Sequence, residues 1–246
     1  MMVWLRSALF NAFFFGFSAT YATLILPAML LPRRLLLVPI RFWAGVVVGA
    51  LRVICGVRTE VTGREHLPKE GAALIAAKHQ SAYDTIVWLW LLPDPAYVVK
   101  RELLNIPVWG WLMRGSGQIG VDRSAGASAM RHLLRAGQRA AAEGRQLVIF
   151  PEGTRVHPDE YRPYQPGIAA LAAATGLPVI PVATDSGLRW GRRAFHKRPG
   201  VIHVHIMPPL PADLRREALV RRLEDTIEGA VKRLPASGQP VDKSVD

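Results

Sequence analysis

The N-terminal stretch from residue 8 to residue 31 is almost entirely apolar and carries no charge. About 24 residues rise roughly 36 Å as an α-helix, which is enough to cross the hydrocarbon core of a bilayer. A cleaved signal peptide over residues 1–22 is the alternative, but no convincing small-x-small cleavage site follows it and more apolar sequence comes next. The pattern therefore predicts a hydrophobic helical membrane anchor.

A second apolar run extends from residue 35 to residue 57 and is interrupted by Pro39, Arg41 and Arg52. An arginine in the middle of a membrane costs about 2.5–3.5 kcal/mol on insertion scales, which disfavours a second clean crossing. We interpret this run as a helix at the interface whose arginines reach the headgroups. Two arrangements stay open for residues 1–57: one crossing followed by an interfacial helix, or a helical hairpin within one leaflet.

The net charge of +12 indicates an anionic partner, which can be nucleic acid, anionic lipid or a phosphorylated substrate. The tryptophans at positions 88, 90, 109 and 111 lie in apolar surroundings and not among basic residues, as a base-stacking surface would require. This favours a membrane over nucleic acid. The single cysteine, Cys55, excludes an internal disulfide and a metal cluster built from thiolates.

Beyond the anchor, short apolar runs alternate with helical patterns up to residue 234. Strands are predicted at 59–62, 72–77, 97–99, 118–121, 146–150, 179–183 and 201–206. Helices are predicted at 85–92, 106–113, 124–143 (with Ser124 as its N-cap), 167–175 and 211–234. The alternation predicts one α/β domain over 58–234, with a mixed, mostly parallel sheet flanked by helices. The polar tail 235–246 is predicted to be disordered.

A histidine and an aspartate follow the predicted buried strand at 72–77. The spacing of His79 and Asp84 lets the carboxylate hold one imidazole nitrogen while the other faces a substrate. Such a pair is a competent general base, which contributes typically 10²–10⁴ in rate. The spacing alone is a weak signal, since a solvated loop before an ordinary helix-start aspartate gives the same pattern.

The sequence FPEGTR at 150–155 comes directly after the predicted strand at 146–150. Ligands in α/β folds usually bind at such strand ends. Gly153 lets the backbone approach a ligand closely, and the planar fork of Arg155 suits a phosphate. Glu152 can bind a hydroxyl of the substrate or fix the arginine.

Four blocks in a fixed order carry a resemblance to a known family. They are HQSAYD at 79–84, GQIGVDR at 117–123, FPEGTR at 150–155 and VIPV at 179–182, with KREL at 100–103 preceding Pro107 and Gly110. Over residues 58 to about 210 the chain resembles the PlsC-type glycerolipid acyltransferases, and its hydrophobic N-terminus is similar to that of bacterial members. Three departures leave the acceptor headgroup open: Lys78 replaces the usual Asn, YQPG at 164–167 lacks a lysine common in the family, and Val156 replaces Ser.

The resemblance implies a direct acyl transfer with no metal, cofactor or acyl-enzyme. His79, oriented by Asp84, would deprotonate the free hydroxyl of a lysophospholipid, with 1-acylglycerol-3-phosphate as the first candidate. That hydroxyl would attack the thioester of acyl-CoA or of acyl carrier protein. The implied acceptor-binding residues are Lys100, Arg123, Glu152, Gly153, Thr154 and Arg155. The implied location is the bacterial inner membrane, with the catalytic domain on the cytoplasmic side.

Other interpretations stay open beside this one. A related enzyme could act on another lyso-lipid, or the chain could be a membrane-attached phospholipid-binding module without turnover. A serine hydrolase using Ser81 is disfavoured, because no G-x-S-x-G elbow exists and Ser81 lies only two residues from His79.

Two further groups of residues carry alternatives of their own. His203 and His205 alternate along a predicted strand and could be metal ligands, but a polar strand face is favoured because no thiolate or second histidine pair joins them. A basic cluster at positions 192, 193, 197 and 198 could meet anionic headgroups or the donor's phosphates, or be a solvated loop.

Overall fold

A computed structural model describes residues 1–235, apart from the side chain of Arg123. The tail predicted to be disordered therefore lies outside the described residues, except for Pro235. The helices are α1 (Met2–Leu24), α2 (Arg33–Cys55), α3 (Tyr83–Leu91), α4 (Trp109–Gly115), α5 (Gly126–Ala142), α6 (Gly167–Thr175), α7 (Ser186–Arg189) and α8 (Arg216–Arg233). The strands are β1 (Val57–Thr62), β2 (Ala73–Ala77), β3 (Pro95–Lys100), β4 (Ile119–Val121), β5 (Gln146–Ile149), β6 (Val179–Thr184) and β7 (Gly200–Ile206).

Within residues 1–235 seven strands form one sheet in the order β1-β7-β6-β2-β5-β3-β4. Every neighbouring pair is parallel except β6 and β7, which are antiparallel. Strand β2 lies at the centre, where Ile75 pairs with Val148 of β5 and with Ile180 of β6. All five residues of β2 are buried, as expected of a strand covered on both faces. The predicted mixed, mostly parallel α/β fold is confirmed.

The two faces of the sheet belong to separate layers of core. Alternate residues of β2 show the division: Ile75 faces the layer of α2 and α3, and Leu74 faces the layer of α5, α6 and α8. Helices α5 and α6 approach closely at Gly137, where an added Cβ would lie 2.3 Å from Leu171 Cδ1. The result is a three-layer arrangement that leaves the carboxyl ends of the parallel strands open for a site.

By length and composition, helices α1 and α2 are both long and apolar enough to cross a membrane. They lie side by side, joined by a hydrogen bond from Trp43 Nε1 to Ser18 Oγ at 3.0 Å. One face of α2, which includes Val47 and Leu51, is buried in the same core as α3. The opposite side exposes Phe42 and other apolar residues. The division at 57/58 stays a prediction, although α2 packs directly on the sheet domain.

Several predicted helix limits differ from the structure. The apolar run predicted over 8–31 forms α1 and then a short 3-10 helix, Leu26–Leu30, that contains a proline. The predicted N-cap of α5, Ser124, is wrong, because Asp122 Oδ1 accepts the Ser124 N–H at 3.0 Å and caps a separate 3-10 turn. Helix α8 begins at Arg216 and not at residue 211.

Candidate active site

His79 and Asp84 meet in the loop that joins β2 to α3. His79 Nδ1 lies 3.0 Å from Asp84 Oδ2, and the same oxygen accepts the backbone N–H groups of Gln80 at 2.7 Å and Ser81 at 2.8 Å. Asp84 stands in the first turn of α3, where the helix dipole favours a negative charge. Because an ionised carboxylate only accepts hydrogen bonds, the imidazole hydrogen lies on Nδ1 and the lone pair on Nε2. The pair has the geometry of an oriented general base.

The third motif block lies directly against this pair. The imidazole of His79 stacks on the ring of Phe150, with centroids 3.9 Å apart and an interplanar angle of 17°. The backbone N–H of Val156 donates to the carbonyl of His79 at 2.8 Å. The two blocks meet because β2 and β5 are parallel neighbours, so that the loops after them leave the sheet at the same edge.

A cavity of about 860 Å³ opens at this edge of the sheet, and His79 forms part of its wall. Its size is within the range of sites for small molecules. Much of the wall is apolar and comes from the N-terminal helices and α4: Tyr21, Ile25, Ile40, Trp43, Trp109, Leu112 and Met113. The cavity therefore brings His79 to an apolar wall that includes residues of the two N-terminal helices.

Most of the predicted acceptor-binding residues lie in the wall of this cavity. Lys100 reaches it from the end of β3, and Gly153, Thr154 and Arg155 reach it from the loop after β5. Gly153 adopts a φ of 72°, a conformation that glycine takes without steric cost. Arg123 begins a 3-10 turn after β4, and its side chain is outside the described part of the structure.

Glu152 is placed differently from its neighbours in the motif. Its side chain is buried and is not among the described residues that line the cavity. Its Oε1 accepts the backbone N–H of His79 at 3.2 Å and lies 3.4 Å from Lys78 Nζ. Burial raises the pKa of the Glu152 carboxyl to about 7, and the charge of Lys78 opposes the rise. The Glu152 carboxyl thus holds the His79 main chain from a buried position outside the cavity wall.

Lys78 joins Glu152 to the C-terminal helix. Lys78 is only 2% exposed, and its Nζ lies 2.5 Å from Glu228 Oε1 of α8. Tyr164 donates its hydroxyl hydrogen to the same oxygen at 2.9 Å. Sequence reasoning treated Lys78 only as a departure from the family motif and missed Glu228 and Tyr164. The available signal was a lysine at the end of a wholly buried strand, which requires a carboxylate partner.

The predicted basic cluster divides into two parts. Arg192 and Arg193 line the His79 cavity. Lys197 is buried instead, where its Nζ donates to Asn11 Oδ1 of α1 at 2.5 Å and lies over the Trp190 ring. Burial lowers the pKa of the Arg155 guanidinium, Asp84 opposes this, and the charges of Arg192 and Arg193 lower it further. These three arginines are therefore close enough to interact electrostatically.

The other histidine candidates have structural partners. His203 Nδ1 lies 2.7 Å from Asp185 Oδ2, and both residues are buried. His205 Nδ1 lies 2.8 Å from Thr62 Oγ1. Among residues 1–235 no group of three or more His, Cys, Asp or Glu residues could hold a metal ion. The Nδ1 contacts of the two histidines support the polar-strand interpretation, which stays a prediction.

Ser81 does not have the geometry of a hydrolase nucleophile. Its side chain is fully buried, and its Oγ accepts the backbone N–H of Tyr83 at 3.1 Å. It is not among the described residues of the cavity wall. Burial and this hydrogen bond leave Ser81 a role in the turn before α3.

Comparisons with known proteins agree with the motifs. A family model described as "Acyltransferase" matches residues 58–185. A 1-acyl-sn-glycerol-3-phosphate acyltransferase of Pseudomonas aeruginosa is 32% identical over 235 residues, which cover 96% of this chain and 90% of that protein. A protein of the same name from Limnanthes alba is 29% identical over 224 residues, which cover 88% and 78% of the two chains.

A solved structure shares the whole fold. It is the crystal structure of the 1-acyl-sn-glycerophosphate (LPA) acyltransferase PlsC from Thermotoga maritima, with a TM-score of 0.79 and 23% sequence identity. The match covers 96% of this chain and 99% of that one. At 23% identity the structural match shows the fold alone, and the sequence comparisons show the family. The chain belongs to the acyltransferase family, as one of its PlsC-type glycerolipid members, and is an O-acyltransferase.

Proposed function

We propose that this protein transfers a fatty acyl group to the free hydroxyl of 1-acyl-sn-glycerol 3-phosphate, with acyl-CoA or acyl carrier protein as the donor. The product is phosphatidic acid. The observation that carries the proposal is the His79–Asp84 pair, with 3.0 Å between Nδ1 and Oδ2, in the wall of a cavity that is apolar towards the anchor. Relatives named for this reaction support the choice of acceptor.

His79 acts as the general base. Its Nε2 takes the proton of the acceptor hydroxyl while the oxygen attacks the thioester carbonyl. A C–O bond forms, the C–S bond breaks, and the departing thiolate recovers the proton from the imidazolium. Asp84 keeps the imidazole in the required tautomer and stabilises its positive charge. Since a thioester is already activated, a base and correct positioning supply what the reaction needs.

The remaining predicted residues bind the acceptor or support the base. Lys100, Gly153, Thr154 and Arg155 line the cavity, which supports their role in binding the acceptor. Arg123 is proposed for the same role from its motif alone. We assign Glu152 to positioning, because its carboxyl contacts the His79 N–H and Lys78 and is buried away from the cavity.

We place the protein at a bacterial inner membrane, with the sheet domain on the cytoplasmic side, where the acyl donors occur. The two long apolar helices support attachment to a membrane. Their exposed apolar side chains support it further, since large apolar patches are rare on soluble monomers.

The test is an acyl transfer assay with purified protein in detergent micelles. The acceptors are lysophosphatidic acid and a panel of other lyso-lipids, the donors are palmitoyl-CoA and palmitoyl carrier protein, and the products are identified by mass. We expect phosphatidic acid from the wild type. His79→Ala should reduce the rate at least about 10²-fold while binding of the lyso-lipid is retained.

His132→Ala is the matched control, because His132 is exposed on α5 and outside the wall of the His79 cavity. Its rate should equal that of the wild type. An unchanged rate for His79→Ala would contradict the mechanism and support a phospholipid-binding module. Product formed only from another lyso-lipid would reassign the acceptor.

A further inference from the structure

Two arginines outside the four motif blocks reach the catalytic cavity. They stand in the segment between α7 and β7, which follows β6, the neighbour of β2 in the sheet. Arg192 and Arg193 line the same cavity as His79 and Arg155. Chain segments that are far apart in sequence thus bring three guanidinium groups to the wall that holds the base.

The charge of this wall is strongly unbalanced. Its described residues include Lys100, Arg155, Arg192 and Arg193 but no aspartate or glutamate. Within residues 1–235 none of the carboxylate ion pairs shorter than 4.0 Å involves any of the three arginines. The carboxylate that attracts Arg155 is Asp84, whose Oδ2 already accepts three hydrogen bonds. Arg192 and Arg193 are exposed and Arg155 is half-buried, so mutual repulsion and the burial of Arg155 both disfavour the cluster, and a bound anion would offset both costs.

The segment that carries the two arginines is held in place by its own turn and by a contact with α1. Arg193 has a φ of 56°, which is uncommon for a residue other than glycine and occurs often where function requires it. The turn is closed by the Ala194 N–H, which donates to the Gly191 carbonyl at 3.1 Å. Four residues beyond Arg193, the buried Lys197 donates its backbone N–H to Ser7 Oγ of α1 at 2.9 Å. The backbone beneath the two guanidinium groups is therefore constrained before any ligand arrives.

We propose that Arg192 and Arg193 complete, with Arg155, a phosphate site beside His79 that selects acceptors ending in a phosphate monoester. The inference rests on the proposed function and goes beyond it by naming two residues that set headgroup specificity. At neutral pH a phosphate monoester carries a charge of about −1.5 to −2 and three terminal oxygens. A phosphodiester carries a single charge and two such oxygens. Guanidinium forks pair two hydrogen bonds with phosphate oxygens, so three arginines match the monoester.

The experiment compares two headgroups in the full-length protein. The rate of acyl transfer from palmitoyl-CoA is measured for lysophosphatidic acid, a monoester, and for lysophosphatidylglycerol, a diester. Removing one charge-assisted hydrogen bond typically weakens binding about 10- to 100-fold. We expect Arg192→Gln/Arg193→Gln to lower kcat/KM for the monoester at least about 30-fold, mainly through KM, and to change kcat/KM for the diester less than about threefold.

A second measurement makes the test independent of turnover on the diester. Monododecyl phosphate and its methyl diester are used as competitive inhibitors, and the double variant should lose affinity for the monoester alone. Arg192→Lys/Arg193→Lys should recover part of the loss, because it restores charge without the planar fork. Arg198→Gln is the matched control, since Arg198 is exposed in the same segment but does not line the cavity.

Two different results would overturn two different claims. If the double variant loses both headgroups and both inhibitors equally, or retains full affinity for the monoester, the phosphate site is refuted. If the wild type acylates none of the lyso-lipids, the proposed function fails instead, while the inhibitor affinities still report on the arginine site.

Discussion

Replacing Glu152 by Gln should change how the stability of the protein depends on pH. The pKa of Glu152 is raised from 4.5 to about 7 in the folded chain, chiefly by burial. The folded state therefore binds this proton more tightly than the unfolded state. Below pH 4.5 the protonated carboxyl does not lower the free energy of unfolding. Its ionisation lowers that free energy increasingly as the pH rises to 7. The full reduction in the free energy of unfolding is on the order of 3 kcal/mol, because it follows from a pKa that rises from 4.5 to about 7.

A neutral glutamine does not have this cost. We expect the free energy of unfolding of Glu152→Gln, relative to the wild type, to rise by on the order of 3 kcal/mol between pH 4.5 and pH 7 and to stay level above pH 7. For a chain of this size each kcal/mol corresponds to about 2–4 °C in Tm, so the relative Tm should rise by about 6–12 °C. The measurement is thermal unfolding in detergent micelles by circular dichroism, at one scan rate throughout.

Glu102→Gln provides the matched control, because Glu102 is exposed. Its Tm should follow the wild type at every pH. If the Tm of Glu152→Gln also runs parallel to the wild type from pH 5 to pH 8, the buried carboxyl does not titrate as argued. The account of Glu152 as a support for the His79 main chain would then lose its electrostatic basis.

Two further predictions concern the same region. Asp84→Asn should lower kcat by about 10²- to 10⁴-fold with little change in KM for the acceptor, because an amide no longer orients the imidazole tautomer. The initial rate at saturating palmitoyl-CoA checks this, and a loss of less than about tenfold would contradict it. Lys78→Met should destabilise the fold by roughly 3–5 kcal/mol at pH 8, because it leaves the carboxylates of Glu152 and Glu228 without their shared cation. Adding Glu228→Gln should recover part of the lost Tm, and no recovery would refute the shared pairing.

Local rules predicted the parts of the site that lie within one short segment. The meeting of His79 and Asp84 follows from a loop and the first turn of a helix, which five residues can span. The strands and their flanking helices follow from the alternation of apolar runs along the chain. Placing His79 next to residues 150–155 required the family resemblance, since no periodicity says which strands are neighbours.

Contacts between distant segments were not predictable in this way. Lys78 and Glu228 are 150 positions apart, and their meeting depends on the rotation of α8 over the sheet. The sequence also could not predict which face of α2 is buried, for a different reason. Both of its faces are apolar, so that Val47 and Phe42 look alike in the sequence although only Val47 is buried.

Helix α2 has a consequence for any attempt to obtain a soluble enzyme. Its inner face completes the core above α3, and Ile40 and Trp43 form part of the wall of the His79 cavity. Deleting residues 1–57 would uncover the apolar side of α3 and open the cavity wall. In the membrane arrangement proposed above, the same connection would fix the height of His79 above the bilayer, because only Gly56 separates α2 from β1. A lysolipid could then enter sideways with its chain still in apolar surroundings, so that only its headgroup has to leave the bilayer.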